Sequence, residues 1–523
     1  ALTAQGGTSN GTANGVYAFI EESLGVRWLM PGEYGDYVPT RANVSIPATD
    51  LTRAPFLLNR RVPYIQEGRA DTKQWGRRQG LGYSLSLQHS HNWQHFTTAD
   101  FKAHPEWFAE QGGSRMAPVG DRFKLCTTSE GLVRAFADGA IKYFDGAPQA
   151  TCYSLSPTDS AGWCECASCK ALYETDPNGE LSVTPAVIDF YNRVAKLVAE
   201  KYPQKLLAGY VYAQYVYPPS KPFRLAPNVF LVWAPSFDYG FTLFRPDMQK
   251  RWADLVPQWL KVTSNIAYYD LPNCVHNEMG GLNPPGLKIL KWLYPRLKQA
   301  GMKGVYVYGN PAWGYAGPMN YLLAKLAWNP DANIDALYED YLEKCYAEGA
   351  PQIKALYALL DDETEQYFNA NHSENYTLTE GRLREVYAKH FAELEGVLSG
   401  GGGQDQRPGG EGTTGDAGRE PEHTALESAA AKDAGEAAGI QLLSFRQGLL
   451  RLLEAVEWVA GRCAVGGERA TGGCESEVER AGDGSPGSRP GDAIPAARRP
   501  ARDPQAAGRG GRDRELQPGD QSR

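Results

Sequence analysis

Eight short apolar runs, separated by turns and by stretches of helical spacing, constrain the fold of this chain more than any motif does. They are "FLLNRRVPYI" (56–65), "LGYSLSLQ" (81–88), "FKLCTT" (123–128), "TCYSLS" (151–156), "KLLAGYVYA" (205–213), "NVFLVWA" (228–234), "NIAYYD" (265–270) and "KGVYVYG" (303–309). Rich in β-branched and aromatic residues, and too short for buried helices, they read as strands. Helical spacing fills 130–144, 184–201, 246–262 and 286–300. Strand, helix, strand in succession makes the strands parallel, and eight such units close into a (β/α)8 TIM barrel, placed here at 51–333. The competing arrangement is an open doubly wound sheet. It normally carries a Gly-rich phosphate turn after its first strand, and none follows residue 65.

The flanks differ from the barrel. Residues 1–50 read as a small α/β domain, N-terminally truncated: "NGVYAFIEESLG" sets Val16, Phe19, Ile20 and Leu24 on one helical face and stops at Gly25, a suitable C-terminal cap. The chain starts without Met or a signal-peptide pattern, so it reads as a fragment whose true N-terminus, with any export signal, is missing. Residues 334–399 read as a helical extension. Of 12 Trp, 29 Tyr and 17 Phe, only Phe445 and Trp458 lie beyond 400, where Gly, Ala, Arg and Pro dominate. That composition cannot build a comparable core, and 400–523 is expected to be either a disordered tail or an out-of-frame translation of GC-rich coding sequence.

Charge and hydropathy each argue against one function class. A net charge of −8, with no Lys/Arg cluster before residue 400, argues against a nucleic-acid partner. No run of about 18 apolar residues is present to span a membrane.

In a barrel, functional side chains sit beyond the C-terminal ends of the strands. His89, His91, Trp93 and His95 follow the second run, Asp159 and Trp163 the fourth, Asp270, His276 and Glu278 the seventh, and Asn310 and Trp313 the eighth. Aromatic residues gather at the same ends, among them Tyr212, Tyr215, Trp233, Tyr239, Tyr269 and Tyr315. Flat rings beside carboxylates and amides suit sugars, which present C–H faces and hydroxyl rims, so an oligosaccharide or glycan is the expected substrate. Glycoside hydrolysis needs two carboxyl groups on opposite sides of the sugar. Asp159 is the expected acid, with Asp270 and then Glu278 as its partner. Arg61, His89, His91, Trp93, Trp163, Tyr212, Trp233, Tyr269, Asn310 and Trp313 are the expected binding residues. His89, His91 and His95, at i, i+2, i+6, lack the spacing of a helical ligand pair, and His104 beside Trp107 reads as structural.

"WCECASC" places Cys164, Cys166 and Cys169 within six positions. A zinc knuckle needs four ligands, with Cys126 or Cys152 as the obvious fourth; a disulfide and buried free thiols are the alternatives. On the pattern alone one ligand pair is missing, and no metal or cofactor is assigned. The cysteines are expected to hold the shape of the loop that carries Asp159.

Four stretches, "GVYAFIEESLGVRWLMPGEYGDYVP", "HPEWFAEQGGSR", "LSPTDSAGWCECASC" and "YLLAKLAWNPDANIDALYEDYLEKCY", resemble the bacterial proteins that carry domain of unknown function 4838, over roughly residues 10–398. Those proteins are similar in layout to family 67 α-glucuronidases and family 20 hexosaminidases, with a small α/β domain before a catalytic barrel. The resemblance implies an exported, glycan-active enzyme, most simply a glycoside hydrolase. It also shows a departure. No "GDE" triplet stands where hexosaminidases carry an Asp-Glu pair, and Asp159 is there alone. The alternatives are a barrel that binds glycans without cleaving them and a zinc-dependent hydrolase.

Overall fold

A computed structural model describes residues 9–46, 52–66, 68–120, 122–160, 162–235, 240–270, 286–372, 379–393 and 396. Tyr239, His276, Glu278 and the tail from 400 lie outside the described residues.

Among the described residues one sheet contains seven strands: β1 (Asn59–Arg61), β2 (Gly82–Tyr83), β3 (Cys152–Ser154), β4 (Leu206–Val211), β5 (Val229–Trp233), β6 (Ile266–Asp270) and β7 (Gly304–Val307). Their order is β2-β1-β7-β6-β5-β4-β3. Every neighbouring pair is parallel except β1 with β2. The helices include α1 (Ser9–Leu24), α2 (Ala70–Arg78), α3 (Glu130–Gly146), α4 (Thr184–Lys201), α5 (Pro246–Val262), α6 (Leu287–Gln299) and α7 (Trp313–Trp328), then α8 (Ile334–Tyr346) and α9 (Ala350–Ala370). The expected helical stretches thus fall on α3 to α6. Local chemistry explains their starts: the Ser129 hydroxyl accepts from Leu132 N at the head of α3, and prolines stand in the first turns of α4 and α5. α1 ends at Gly25, whose φ of +75° is open to glycine at little cost.

The sheet curls. Cys152, Ala208, Phe230 and Ala267, from four adjacent strands, meet Leu87 in one buried cluster on its inner side. The outer side carries Trp233 and Tyr268, which pack on Trp252 of α5 at ring-centroid distances of 6.0 and 6.3 Å. Parallel strands covered on both faces are apolar on both, as these are.

Two of the eight expected strands are corrected. Residues 123–128 do not join the sheet; Leu125 makes a single bridge to Phe108. In 81–88 only Gly82 and Tyr83 pair, antiparallel to β1. The backbone ladder is therefore not a closed eight-stranded ring. The segment after β2 instead runs between the two sheet edges. On one side Ser84 N and Leu85 N donate to Leu58 O, and Asn59 Nδ2 donates to Leu85 O. On the other the bonds come mostly from side chains: Thr151 Oγ1 to Ser86 O (2.9 Å), Ser154 Oγ to Ser90 O (2.5 Å), Asn92 Nδ2 to Ser154 O (2.7 Å) and Trp93 Nε1 to Leu155 O (2.9 Å). Ser156, wholly buried, donates to His89 O at 2.6 Å and accepts from Tyr210 N at 3.0 Å.

Around the sheet, α1 and a hairpin of Arg27–Trp28 with Asp36–Tyr37 sit on the helices. Arg27 Nε pairs with Asp340 of α8 at 2.7 Å, and Trp28 O accepts from Trp75 Nε1 of α2 at 2.9 Å. No described helix is long and apolar enough to cross a membrane.

Ser156→Ala strands the His89 carbonyl and the Tyr210 N–H in a buried place. With about 1–3 kcal/mol per orphaned group, the variant should lose roughly 2–6 kcal/mol of stability, seen as a lower urea midpoint at unchanged slope. A loss under about 0.5 kcal/mol, the range of surface substitutions, would mean that closure does not depend on this hydroxyl.

Candidate functional site

Strand alternation decides which side chains enter the space inside the curl. Tyr269 of β6 pairs with Tyr306 of β7, and Tyr306 with Arg61 of β1, so these three point the same way. Tyr269 and Tyr306 stack at 5.1 Å and 8°, and the Arg61 guanidinium lies 5.1 Å over the Tyr306 ring. Tyr210 meets Tyr269 at 5.6 Å and Tyr212 at 5.7 Å, and Tyr308 meets Tyr306 at 5.3 Å. All five tyrosines are half-buried, and they stand at the C-terminal ends of their strands. The result is a tyrosine-walled lumen.

The bridging segment supplies two histidines. His89 is buried between Tyr306 (4.6 Å, 89°) and Tyr210 (5.0 Å, 75°), and its Nδ1 has no hydrogen-bond partner among the described residues. Burial, reinforced by the charges of Arg61 and His91, pushes its pKa down to about 3, so the ring is neutral. His91 lies 5.3 Å from Tyr210, and its Nδ1 donates to the Pro157 carbonyl. In the neutral ring that bond leaves Nε2 as an acceptor.

Asp159 is exposed, just beyond β3, and its Oδ1 accepts from the Tyr212 hydroxyl at 2.8 Å. Burial first, and then the Asp159 charge and its hydrogen bond, push the Tyr212 pKa up and keep the phenol protonated. Behind Asp159, buried Lys124 donates to the Thr158 carbonyl and places its ammonium 4.6 Å over the Trp163 ring. Burial lowers the Lys124 pKa to about 8 against the opposing pull of Asp159.

Of the expected site residues, Arg61, His89, His91, Tyr212 and Tyr269 line the lumen, with Asp159 bonded to it. Asp270, Trp93, Trp163, Trp233, Asn310 and Trp313 stand elsewhere. Asp270, one residue past Tyr269, points to the opposite face, where it is buried and accepts from Tyr268 Oη at 3.2 Å. The expectation that Asp159 and Asp270 share one pocket is thus not met. Trp233 shares that outer face and donates to Val216 O. Trp93 is fully buried against Phe190 and Trp163, which itself packs on Tyr215. Asn310, also fully buried, exchanges backbone and amide hydrogen bonds with Asn320, while Trp313 packs on Trp75 of α2 at 4.7 Å. Glu278 lies outside the described residues. Tyr210, Tyr306, Tyr308 and Lys124 were missed, although the i, i+2 tyrosines in "GYVY" and "GVYVYG" carried the signal for three of them. His104 stacks on Trp107 at 3.9 Å, as its structural reading expects.

Next to Trp163, the Cys164, Cys166 and Cys169 loop meets Cys126, 40 positions before Cys166. Cys152 is elsewhere, in the inner cluster of the sheet. The cysteine that joins the three is therefore Cys126 and not Cys152, and all four are free cysteines.

Comparison with known proteins adds one match. The profile of the family described as Domain of unknown function (DUF4838) matches residues 30–358. No curated protein matches the chain.

The neutral His89 makes a pH prediction. Its pKa is about 3 folded and about 6.5 unfolded, so between those values the unfolded chain binds a proton that the folded one refuses. Stability should fall as pH drops through that window, at up to about 1.4 kcal/mol per pH unit from this residue. His89→Gln should flatten the acid limb of a stability–pH curve relative to wild type; parallel limbs would contradict the buried, neutral ring.

Proposed function

The chain belongs to the DUF4838 family, and from that premise we propose that it is an exported, carbohydrate-active enzyme that hydrolyses glycosidic bonds in the tyrosine-walled lumen. On this reading the curled sheet is a (β/α)8-type barrel in which the segment after β2 replaces a stave. The observation that carries it is the pairing of Asp159 with Tyr212 at the edge of a lumen walled by Tyr210, Tyr269, Tyr306 and Tyr308. Half-buried phenol rings stack on the C–H faces of sugars, and Arg61, His89 Nδ1 and His91 Nε2 offer hydrogen bonds to the hydroxyl rim. Asp159 serves as the acid that protonates the departing oxygen, oriented by Tyr212. The partner carboxylate is assigned to Glu278, which follows β6 in the chain, because Asp270 is turned to the helices. Glycan binding without cleavage is the second reading, and the same turning away of Asp270 favours it.

Hydrolysis of a panel of glycans and chromogenic glycosides tests both. Asp159→Asn should keep folding and binding but lower turnover of substrates with poor leaving groups by about 10²-fold or more, and of activated substrates less. Glu278→Gln should impair all substrates alike. Wild-type rates in Asp159→Asn would remove that residue from the chemistry, and a wild type that binds glycans yet never cleaves them would establish the second reading.

A further inference from the structure

We infer that Cys126, Cys164, Cys166 and Cys169 bind one zinc ion in a closed tetrathiolate site that fixes the loop carrying Asp159 and Trp163. The four sulfurs lie within 4.8 Å of one another. Cys126 Sγ is 3.8 Å from both Cys166 Sγ and Cys169 Sγ. A tetrahedron with zinc–sulfur bonds of about 2.3 Å has edges of roughly 3.8 Å, the length of the two Cys126 edges, and the four sulfurs are gathered closely enough for one ion to draw them together. A disulfide would bring two of them to about 2.05 Å.

The surroundings suit thiolates. Glu110 N donates to Cys164 Sγ at 3.3 Å, the Thr128 hydroxyl lies 3.2 Å from Cys169 Sγ, and Arg115 Nη1 lies 3.6 Å from Cys164 Sγ. Such donors orient metal-bound sulfur, and the guanidinium offsets part of the net negative charge of a zinc tetrathiolate. Cys166 caps a one-turn helix, Ala167–Lys170, so that Cys166 and Cys169 form the knuckle of a C-x-x-C pair. The other pair, Cys126 and Cys164, comes from two separate segments. Four protein ligands leave no open position for water or substrate, so the ion is structural and not the centre of a zinc hydrolase.

Its consequence runs through the chain. Cys126 lies two residues after Lys124, which holds the Thr158 carbonyl, and Cys164 directly follows Trp163, which lies under the Lys124 ammonium. Zinc would tie these two segments together on both sides of Asp159. It would also explain why 123–128 leaves the sheet: its backbone is drawn to the cysteines. This holds whether or not the lumen cleaves glycans.

Metal analysis of the full chain, purified without chelator, tests the inference. One zinc per chain is expected, and cobalt(II) exchanged into the wild type should give the intense visible bands and sulfur-to-metal charge transfer of a tetrahedral tetrathiolate. Removing zinc from the wild type should lower the thermal midpoint, and adding it back should restore it. Cys126→Ser and Cys164→Ser should each lose the zinc, whereas Cys152→Ser should retain it. Because the cobalt spectrum needs no variant, misfolding of the serine proteins leaves the test intact. A metal-free wild type with no cobalt spectrum, a mapped disulfide among the four, iron in place of zinc, or zinc retained by the folded Cys126→Ser and Cys164→Ser proteins would each overturn the assignment.

Discussion

A curled parallel sheet has two edges, and the backbone groups along both must find partners or face water. Here both edges are served by one irregular segment, residues 84–93, held between β1 and β3. Ordinary ladder pairing would have turned that segment into another strand. Instead Thr151, Ser154, Ser156 and Asn92 reach across with side chains, and the backbone of the segment stays free to bend. The bend is what places His89 between two tyrosines and turns His91 toward the Pro157 carbonyl. Closure and site are thus one arrangement, with Ser156 at their junction.

The lumen follows from that closure. Once the sheet curls, alternate residues of β4, β6 and β7 converge, and the tyrosines at those positions form a wall that no single strand could build. Its charged members are managed by their neighbours: the Arg61 guanidinium lies over a ring, and Lys124 lies under Asp159 and over Trp163. A cation held against an aromatic face is stabilised by the ring, and the Asp159 carboxylate accepts from Tyr212.

Much of this was legible in the sequence. The helices at 130–144, 184–201, 246–262 and 286–300 could be read because an amphipathic helix shows one apolar stripe to the reader. Most strands could be located too, although 123–128 stays out of the sheet and only Gly82 and Tyr83 of 81–88 pair, but their facing could not. In a parallel sheet covered on both sides, inner and outer positions are both apolar, so "AYYD" does not reveal that Tyr269 points inward while Asp270 points to the helices. Closeness to a strand end led to Arg61 and Tyr212, which face the lumen, and equally to Trp233 and Asn310, which do not, because that parity or a local hydrogen-bond exchange decides. The fourth cysteine was hidden for another reason. Cys126 reaches its partners through tertiary structure, and no local spacing links "FKLCTT" to "WCECASC".

The central claim is that the tyrosine-walled lumen, with Asp159 at its edge, is where a sugar binds. A crystal structure of the Asp159→Asn protein soaked with an oligosaccharide from the screening panel tests it most directly. Sugar rings should lie against Tyr210, Tyr269 or Tyr306, with a glycosidic oxygen within about 3 Å of residue 159 and a hydroxyl on His89 Nδ1. Oligosaccharide bound on the outer helices, with the tyrosine wall unchanged and empty of sugar, would contradict it.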